Sequence, residues 1–106
     1  MGVFVGTVTF DLLLGDVHSL KQKRSVVRPI VAEVRRRFDV AVAEVGHLDV
    51  HRRAELGAAV VAADAGHCRD VLDAVERLVA ARPEIDLLSS RRHLHSDDDD
   101  SPVPHP

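Results

Sequence analysis

Residues 3 to 14 constrain the fold most, because their apolar side chains recur at every second position. One side of the run carries Phe4, Gly6, Val8, Phe10, Leu12 and Leu14. The other side carries Thr7, Thr9 and Asp11. Successive side chains of a strand point to opposite faces, so this alternation is typical of a long β-strand with one buried face.

A helix is predicted after the turn at Gly15 to His18. Ser19 and Gln22 have the spacing of a capping box, in which each side chain satisfies a free backbone N–H of the other residue. At 100° per residue, one stripe holds Leu20, Val27, Ile30, Val31, Val34 and Phe38. Pro29 lies inside this segment, and a proline there removes a hydrogen bond and clashes with the preceding turn. We therefore predict either a kink at Pro29 or a helix whose first turns are set apart.

The rest of the chain supplies two more strands, a second helix and a last strand. Residues 40–46 and 54–63 are rich in strand-forming residues and are joined by a polar connection. Asp64 is a cap for a second amphipathic helix that ends before Pro83, with Asp73 and Arg77 as an i,i+4 ion pair. Residues 84–93 complete the order βαββαβ.

This order predicts an α+β fold of the ferredoxin-like type, with a four-stranded antiparallel sheet and two helices on one face. The domain is predicted to span residues 1–93. Residues 94–106 contain a run of four aspartates and three prolines, and are predicted to form a disordered, acidic and proline-rich tail. The other face of the sheet, with Val3, Val5, Thr7 and Thr9, is left open.

Composition restricts the compartment and the partners. The N-terminus has no signal peptide or membrane-spanning pattern, and the single cysteine, Cys68, allows no internal disulfide, so we expect a cytoplasmic protein without a membrane partner. Four of the 17 acidic residues are Asp97 to Asp100, so residues 1–92 are close to neutral with a slight basic excess. That balance argues against a general nucleic-acid-binding protein, and no DNA partner is expected.

The first helix has a basic face that could bind RNA or another anion. Lys21, Arg24, Arg28 and Arg35 fall within about 60° of one another, near a helix N-terminus whose free N–H groups attract anions. Lys23 lies toward the apolar stripe, where a charge is normally avoided unless it reaches past the helix end. The hypothetical RNA- or anion-binding set is His18, Ser19, Lys21, Lys23, Arg24, Arg28 and Arg35. The alternative is a solvated helix face whose cations balance neighbouring carboxylates.

A second polar cluster is predicted where the second and third strands meet. Its members are Glu44, His47, Asp49, Arg53 and Glu55. A histidine close to carboxylates can serve acid–base catalysis or bind a metal, but such a turn can equally be held by ion pairs to Arg52 or Arg53. No catalytic motif, phosphate-binding loop or recognisable metal-ligand spacing is present, so we expect no enzyme activity, no metal and no cofactor.

Two segments resemble the YlxP-like family of bacterial proteins, a domain of unknown function (DUF503). The segments are residues 18–27 and residues 42–57, within a similarity that covers about residues 2–92. The family's characteristic positions correspond to His18, Ser19, Leu20, Lys21, Lys23, Arg24, Ser25, Glu44, Gly46, Asp49, Arg53 and Gly57. The resemblance implies a ferredoxin-like fold, no established activity, and genes often found beside those for translation initiation and ribosome maturation factors. Pro29, His51 and the acidic tail depart from the family pattern.

These observations favour a non-catalytic accessory factor of translation or ribosome maturation. It would contact ribosomal RNA or a ribosome-associated protein through the basic helix face. The alternative is a self-associating structural or small-ligand regulatory module, a homodimer for example, that uses the open sheet face. An enzyme built on His47, Asp49 and Glu55 is a third hypothesis, and it requires those three side chains to converge on one pocket.

Overall fold

A computed structural model describes residues 2–97 and confirms the α+β fold with the order βαββαβ. The strands are β1 (Phe4–Leu14), β2 (Ala41–Gly46), β3 (Arg53–Ala62) and β4 (Ile85–Ser96). The helices are α1 (Leu20–Arg37) and α2 (Ala65–Ala80). Neither helix within residues 2–97 is long and apolar enough to cross a bilayer.

The sheet is antiparallel, with the strands in the order β2-β3-β1-β4. β1 is central and pairs with β3 from Phe4 to Leu13 on one side and with β4 from Phe4 to Leu14 on the other. Thr7 lies opposite Ala59 on β3 and His93 on β4, and Thr9 lies opposite Gly57 and Arg91. The alternation read in residues 3–14 is therefore the alternation between the helix-covered face and the open face.

The core lies between the sheet and the two helices. β1 contributes Val8, Phe10, Leu12 and Leu14, all buried, and the helices contribute Val27, Ile30, Val34, Cys68, Leu72, Val75 and Val79. Gly6 lies where α2 approaches β1 most closely, because a Cβ at this position would lie 3.0 Å from Leu72 Cδ1 and 3.3 Å from Cys68 Cβ. Cys68 is buried in this contact, as its place in the apolar stripe predicts.

Helix α1 begins at the predicted cap and runs through Pro29. The Ser19 hydroxyl accepts a hydrogen bond from the Gln22 N–H at 3.1 Å, and the Gln22 side chain accepts one from the His18 N–H at 2.6 Å. The prediction that the first turns are set apart is wrong, because the helix is continuous from Leu20 to Arg37. Pro29 is exposed, while the nearby Val27 and Ile30 are buried.

Two further predictions need correction. Asp73 does not pair with Arg77; it accepts a hydrogen bond from Arg92 of β4 at 2.6 Å, and Glu76 lies 3.1 Å from the same guanidinium. The tail does not begin at residue 94, because Leu94, His95 and Ser96 continue β4 opposite Gly6, Val5 and Phe4. The remaining part of the predicted tail, residues 98–106, lies outside the described residues.

Candidate functional site

Three exposed cations form a line along α1 and are here called the cationic row: Lys21, Arg24 and Arg28. They lie three and four residues apart, so they share one face of the helix over two turns. Within residues 2–97, none of the three has a carboxylate within 4.0 Å or a side-chain hydrogen bond. Together with Ser25 and Pro29 they line a groove of about 420 Å³. The row therefore presents positive charge that the described part of the chain does not neutralise.

Arg35 and the residues at the start of α1 have structural partners. Arg35 is on the same side of the helix, but its guanidinium donates a hydrogen bond to the Val42 carbonyl at 2.8 Å, which ties α1 to β2. The Ser19 hydroxyl is engaged with the Gln22 N–H, and the Ser19 carbonyl accepts from the Lys23 N–H at 3.0 Å. His18 is exposed beside this cap.

Lys23 does not belong to the cationic row, although the sequence analysis included it in the hypothetical RNA- or anion-binding set. Its side chain is only 3% exposed, and Nζ lies 2.6 Å from the Glu44 carboxylate. The same ammonium donates to the carbonyls of His47 at 2.6 Å and Val50 at 2.8 Å. The ammonium thus has two carbonyl acceptors and one carboxylate as ion-pair partner, and Lys23 joins the β2–β3 connection to α1.

The predicted hairpin cluster divides between the two faces of the sheet. Glu44 points toward α1 and pairs with Lys23, whereas Arg53 hydrogen-bonds Asp11 on the open face. His47 Nε2 lies 3.7 Å from the other Asp11 oxygen. Asp49 is exposed in the turn between the strands.

Glu55 is on the open face as well, but it belongs to a different contact. Its carboxylate lies 4.0 Å from the Arg91 guanidinium and covers Gly46, where a Cβ would come within 2.6 Å of Glu55 Oε1. His47 is therefore paired with Asp11 and Glu55 with Arg91, while Asp49 has no ion pair within residues 2–97, so the three residues of the third hypothesis do not share a contact. No group of three or more His, Cys, Asp and Glu side chains within residues 2–97 is arranged to hold a metal ion.

Asp11 is the residue of this cluster that the sequence did not single out. The hydrogen bond from Arg53 lowers the pKa of Asp11 below its ordinary value of 3.8, and raises the pKa of Arg53 in turn. The sequence did place Asp11 on the outward side of β1, where a carboxylate can pair with a cation on a neighbouring strand. Without the register of β1 on β3, the cation could not be identified.

The sequence also matches a protein family over most of its length. Residues 5–92 match the family described as "Protein of unknown function (DUF503)", and the chain belongs to this family. The uncharacterized protein YlxP of Bacillus subtilis (strain 168) is 29% identical over 87 residues, which are 82% of this chain and 95% of YlxP. The resemblance found in the sequence is thereby confirmed, and neither description names an activity.

Two solved structures have a similar arrangement at low sequence identity. A mutant of SnoaB, a cofactor-independent oxygenase from Streptomyces nogalater, is 16% identical with a TM-score of 0.47, covering 96% of this chain and 98% of SnoaB. The designed protein Foldit4 is 12% identical with a TM-score of 0.48, covering 88% of this chain and 94% of the design. Neither likeness indicates an activity for this chain.

Proposed function

We propose that this protein is a non-catalytic accessory factor of translation or ribosome maturation that contacts ribosomal RNA through the cationic row. The observation that carries the proposal is that Lys21, Arg24 and Arg28 are exposed on one helix face with no carboxylate within 4.0 Å in the described chain. Two other cations of α1 do have a carboxylate nearby: Arg36 and Arg37 lie 3.8 and 4.0 Å from Glu33.

The geometry of the row suits a phosphate backbone. At a rise of about 1.5 Å per residue, Lys21 and Arg28 are separated by about 10 Å along the helix, which allows contact with adjacent phosphates of one strand. Phe10 is buried, and Phe4 and Phe38 pack against the core, so none of the three phenylalanines offers a ring for base stacking. The expected binding is electrostatic with little sequence preference.

The choice of ribosomal RNA also rests on the gene neighbourhood that the resemblance to the family implies. Neighbouring genes for translation initiation and ribosome maturation factors favour a ribosomal particle over other polyanions. A ribosome-associated protein with an acidic surface would satisfy the same cations, and the experiment below separates the two partners.

Charge reversal in the row tests the proposal. The variant Lys21→Glu/Arg24→Glu should lose co-sedimentation with ribosomal particles at low salt, because each phosphate contact releases counterions when it forms. For the wild type, three contacts predict a slope of log K against log salt of about −2 to −3. Digestion of the particles with ribonuclease should release the wild-type protein.

A matched control carries the same change of net charge on the other helix. Arg69 and Arg77 are exposed on α2 and have no ion pair within residues 2–97, so Arg69→Glu/Arg77→Glu should co-sediment like the wild type. If both double variants lost co-sedimentation equally, the change of net charge alone would explain the loss, and the proposal would be contradicted. Absence of co-sedimentation in the wild type would do so as well, and binding that survives ribonuclease would identify a protein partner instead.

A further inference from the structure

The open face of the sheet has a floor of small side chains beside a cationic edge. Ala41 and Ala43 of β2, Gly57 and Ala59 of β3, and Thr7 and Thr9 of β1 surround a depression of about 330 Å³. Val45 forms one wall, with its methyl groups over Gly57: a Cβ on Gly57 would lie 3.1 Å from Val45 Cγ1. We call this hollow the small-residue depression.

The depression has room because its floor lacks longer side chains. Residues directly opposite each other on neighbouring strands have Cβ atoms about 5 Å apart, so larger side chains at 57 and 59 would meet those of β1 and β2 and fill the space. Its lining is almost entirely apolar apart from the two threonine hydroxyls. A volume of about 300 Å³ is at the lower end of the range for small-molecule sites.

The cationic edge is supplied by β4. Arg91 lies opposite Thr9 and His93 lies opposite Thr7, so both side chains are on the open face next to the depression. Arg91 is 73% exposed, and its only ion pair within residues 2–97 is the 4.0 Å approach to Glu55, which is too long for a hydrogen bond. Its guanidinium is therefore free to bind an anion in a bidentate manner.

The charges select the occupant. Asp11 is paired with Arg53, and Glu55 approaches Arg91 only to 4.0 Å, so Arg91 is the cation of this face that an anion can bind in competition with Glu55.

We propose that the small-residue depression binds a small hydrophobic carboxylate, with the apolar body over Gly57 and Ala59 and the carboxylate on Arg91. The threonine hydroxyls of Thr7 and Thr9 lie between the two and can donate to the ligand's oxygens. This site is on the opposite face of the sheet from the helices, so it is independent of the cationic row and of the RNA contact proposed above.

Two probes that differ only in charge test the site. The full chain is titrated with 2-naphthoate and with its neutral counterpart 2-naphthamide, and the backbone amide signals of Thr7, Thr9 and Ala43 are followed by NMR. Naphthoate should shift these signals and bind more tightly than naphthamide. Arg91→Gln should weaken naphthoate about tenfold, the loss expected for one charge-assisted hydrogen bond, and leave naphthamide unchanged.

Occlusion and control variants complete the experiment. Ala59→Leu should weaken both probes, Ala59→Ser should leave both unchanged, and Arg69→Gln on α2 should have no effect on either. Equal affinity for the two probes in the wild type, or no shift at Thr7 and Thr9 with either probe, would overturn the proposal. If sedimentation shows a dimer that Ala59→Leu dissociates while naphthoate fails to bind, the occupant is a second copy and the proposal is again overturned.

Discussion

Lys21 and Lys23 are two residues apart on α1, yet their ammonium groups have opposite surroundings. Lys21 is exposed in the cationic row, whereas Lys23 is buried and bound to Glu44 and two carbonyls. A buried lysine is compatible with a stable fold only when its charge is paired and each N–H is satisfied. The two lysines therefore predict different consequences when their charge is removed.

Replacing Lys23 by methionine should destabilise the protein by about 2–4 kcal/mol, since Glu44 loses its partner while two carbonyls lose a donor. Because Glu44 is 24% exposed, water relieves part of the penalty and the value should fall below that of a fully buried pair. Urea unfolding measures the change. Lys21→Met is the control and should stay within about 0.5 kcal/mol of the wild type. An equal loss in both variants would contradict a stabilising role of the contacts made by the Lys23 ammonium.

Asp11 gives the stability a pH dependence of known sign. Arg53 holds the pKa of Asp11 below its ordinary value of 3.8 in the folded chain, so the ion pair stabilises the fold fully above about pH 5. That contribution is lost as the pH falls through the folded pKa. Asp11→Asn should therefore be less stable than the wild type at pH 7, and the difference should shrink as the pH falls below 3.8.

Urea unfolding at several pH values follows this difference. Asp70→Asn supplies the comparison, because Asp70 is exposed and has no ion pair within residues 2–97. Its difference from the wild type should stay small across the same range. A deficit of Asp11→Asn that persists undiminished at acid pH would show that packing, and not the ion pair, is responsible.

At the scale of single elements, Gly6 determines how closely α2 can lie on β1. A methyl group at this position would contact Cys68 Cβ at 3.3 Å, and that atom is fixed to the helix backbone, so α2 would have to move outward. Gly6→Ala should destabilise the protein by about 1–2 kcal/mol, as overpacking of a core does. Thermal or urea unfolding measures it.

Gly15 is the matched position for this test. A Cβ there would have no atom within 4 Å, and its φ is not in the left-handed region. Gly15→Ala should therefore leave stability unchanged or raise it by up to about 1 kcal/mol, because the unfolded chain loses freedom. If Gly6→Ala and Gly15→Ala changed the free energy of unfolding by the same amount, the close approach of α2 at Gly6 would be contradicted.

The elements themselves followed from local patterns, and the pairs between them did not. Periodicity identified β1, the capping residues marked the start of each helix, and the basic face of α1 came from spacing alone. The partners of Lys23, Asp11 and Asp73 depend on which strands are neighbours and in which register. Lys23 left one local signal, a charge on the apolar side of its helix, but Glu44 is 21 positions away and could only be paired with it in three dimensions.

At the scale of the whole molecule, the fold was predictable because every element agreed with one topology. Two amphipathic helices and four strands in the order βαββαβ have few arrangements that bury all apolar faces, and the observed strand order is one of them. The limit of the domain was less predictable. The last residues of β4 are polar, and their place in the sheet comes from hydrogen bonds to β1 that composition does not reveal.

Truncation tests where the domain ends. A chain that stops after Asp97 should keep the stability of the full protein, because it retains all of β4 and the hydrogen bonds between Val3 and Asp97. A chain that stops after His93 loses the pairing of three residues with β1, and its free energy of unfolding should fall by about 2 kcal/mol or more. Urea unfolding compares the two, and equal stability would move the boundary back to residue 93.

The bonds of Lys23 also bear on how the chain acquires its structure. They join residue 23 to carbonyls 24 and 27 positions further on, so the β2–β3 connection reaches its final form only when α1 is docked. Helix and connection should then open and close as one cooperative unit, with a common free energy of local unfolding. An RNA that holds the cationic row of α1 would slow the opening of that unit and, through it, the motion of the loop that carries His47.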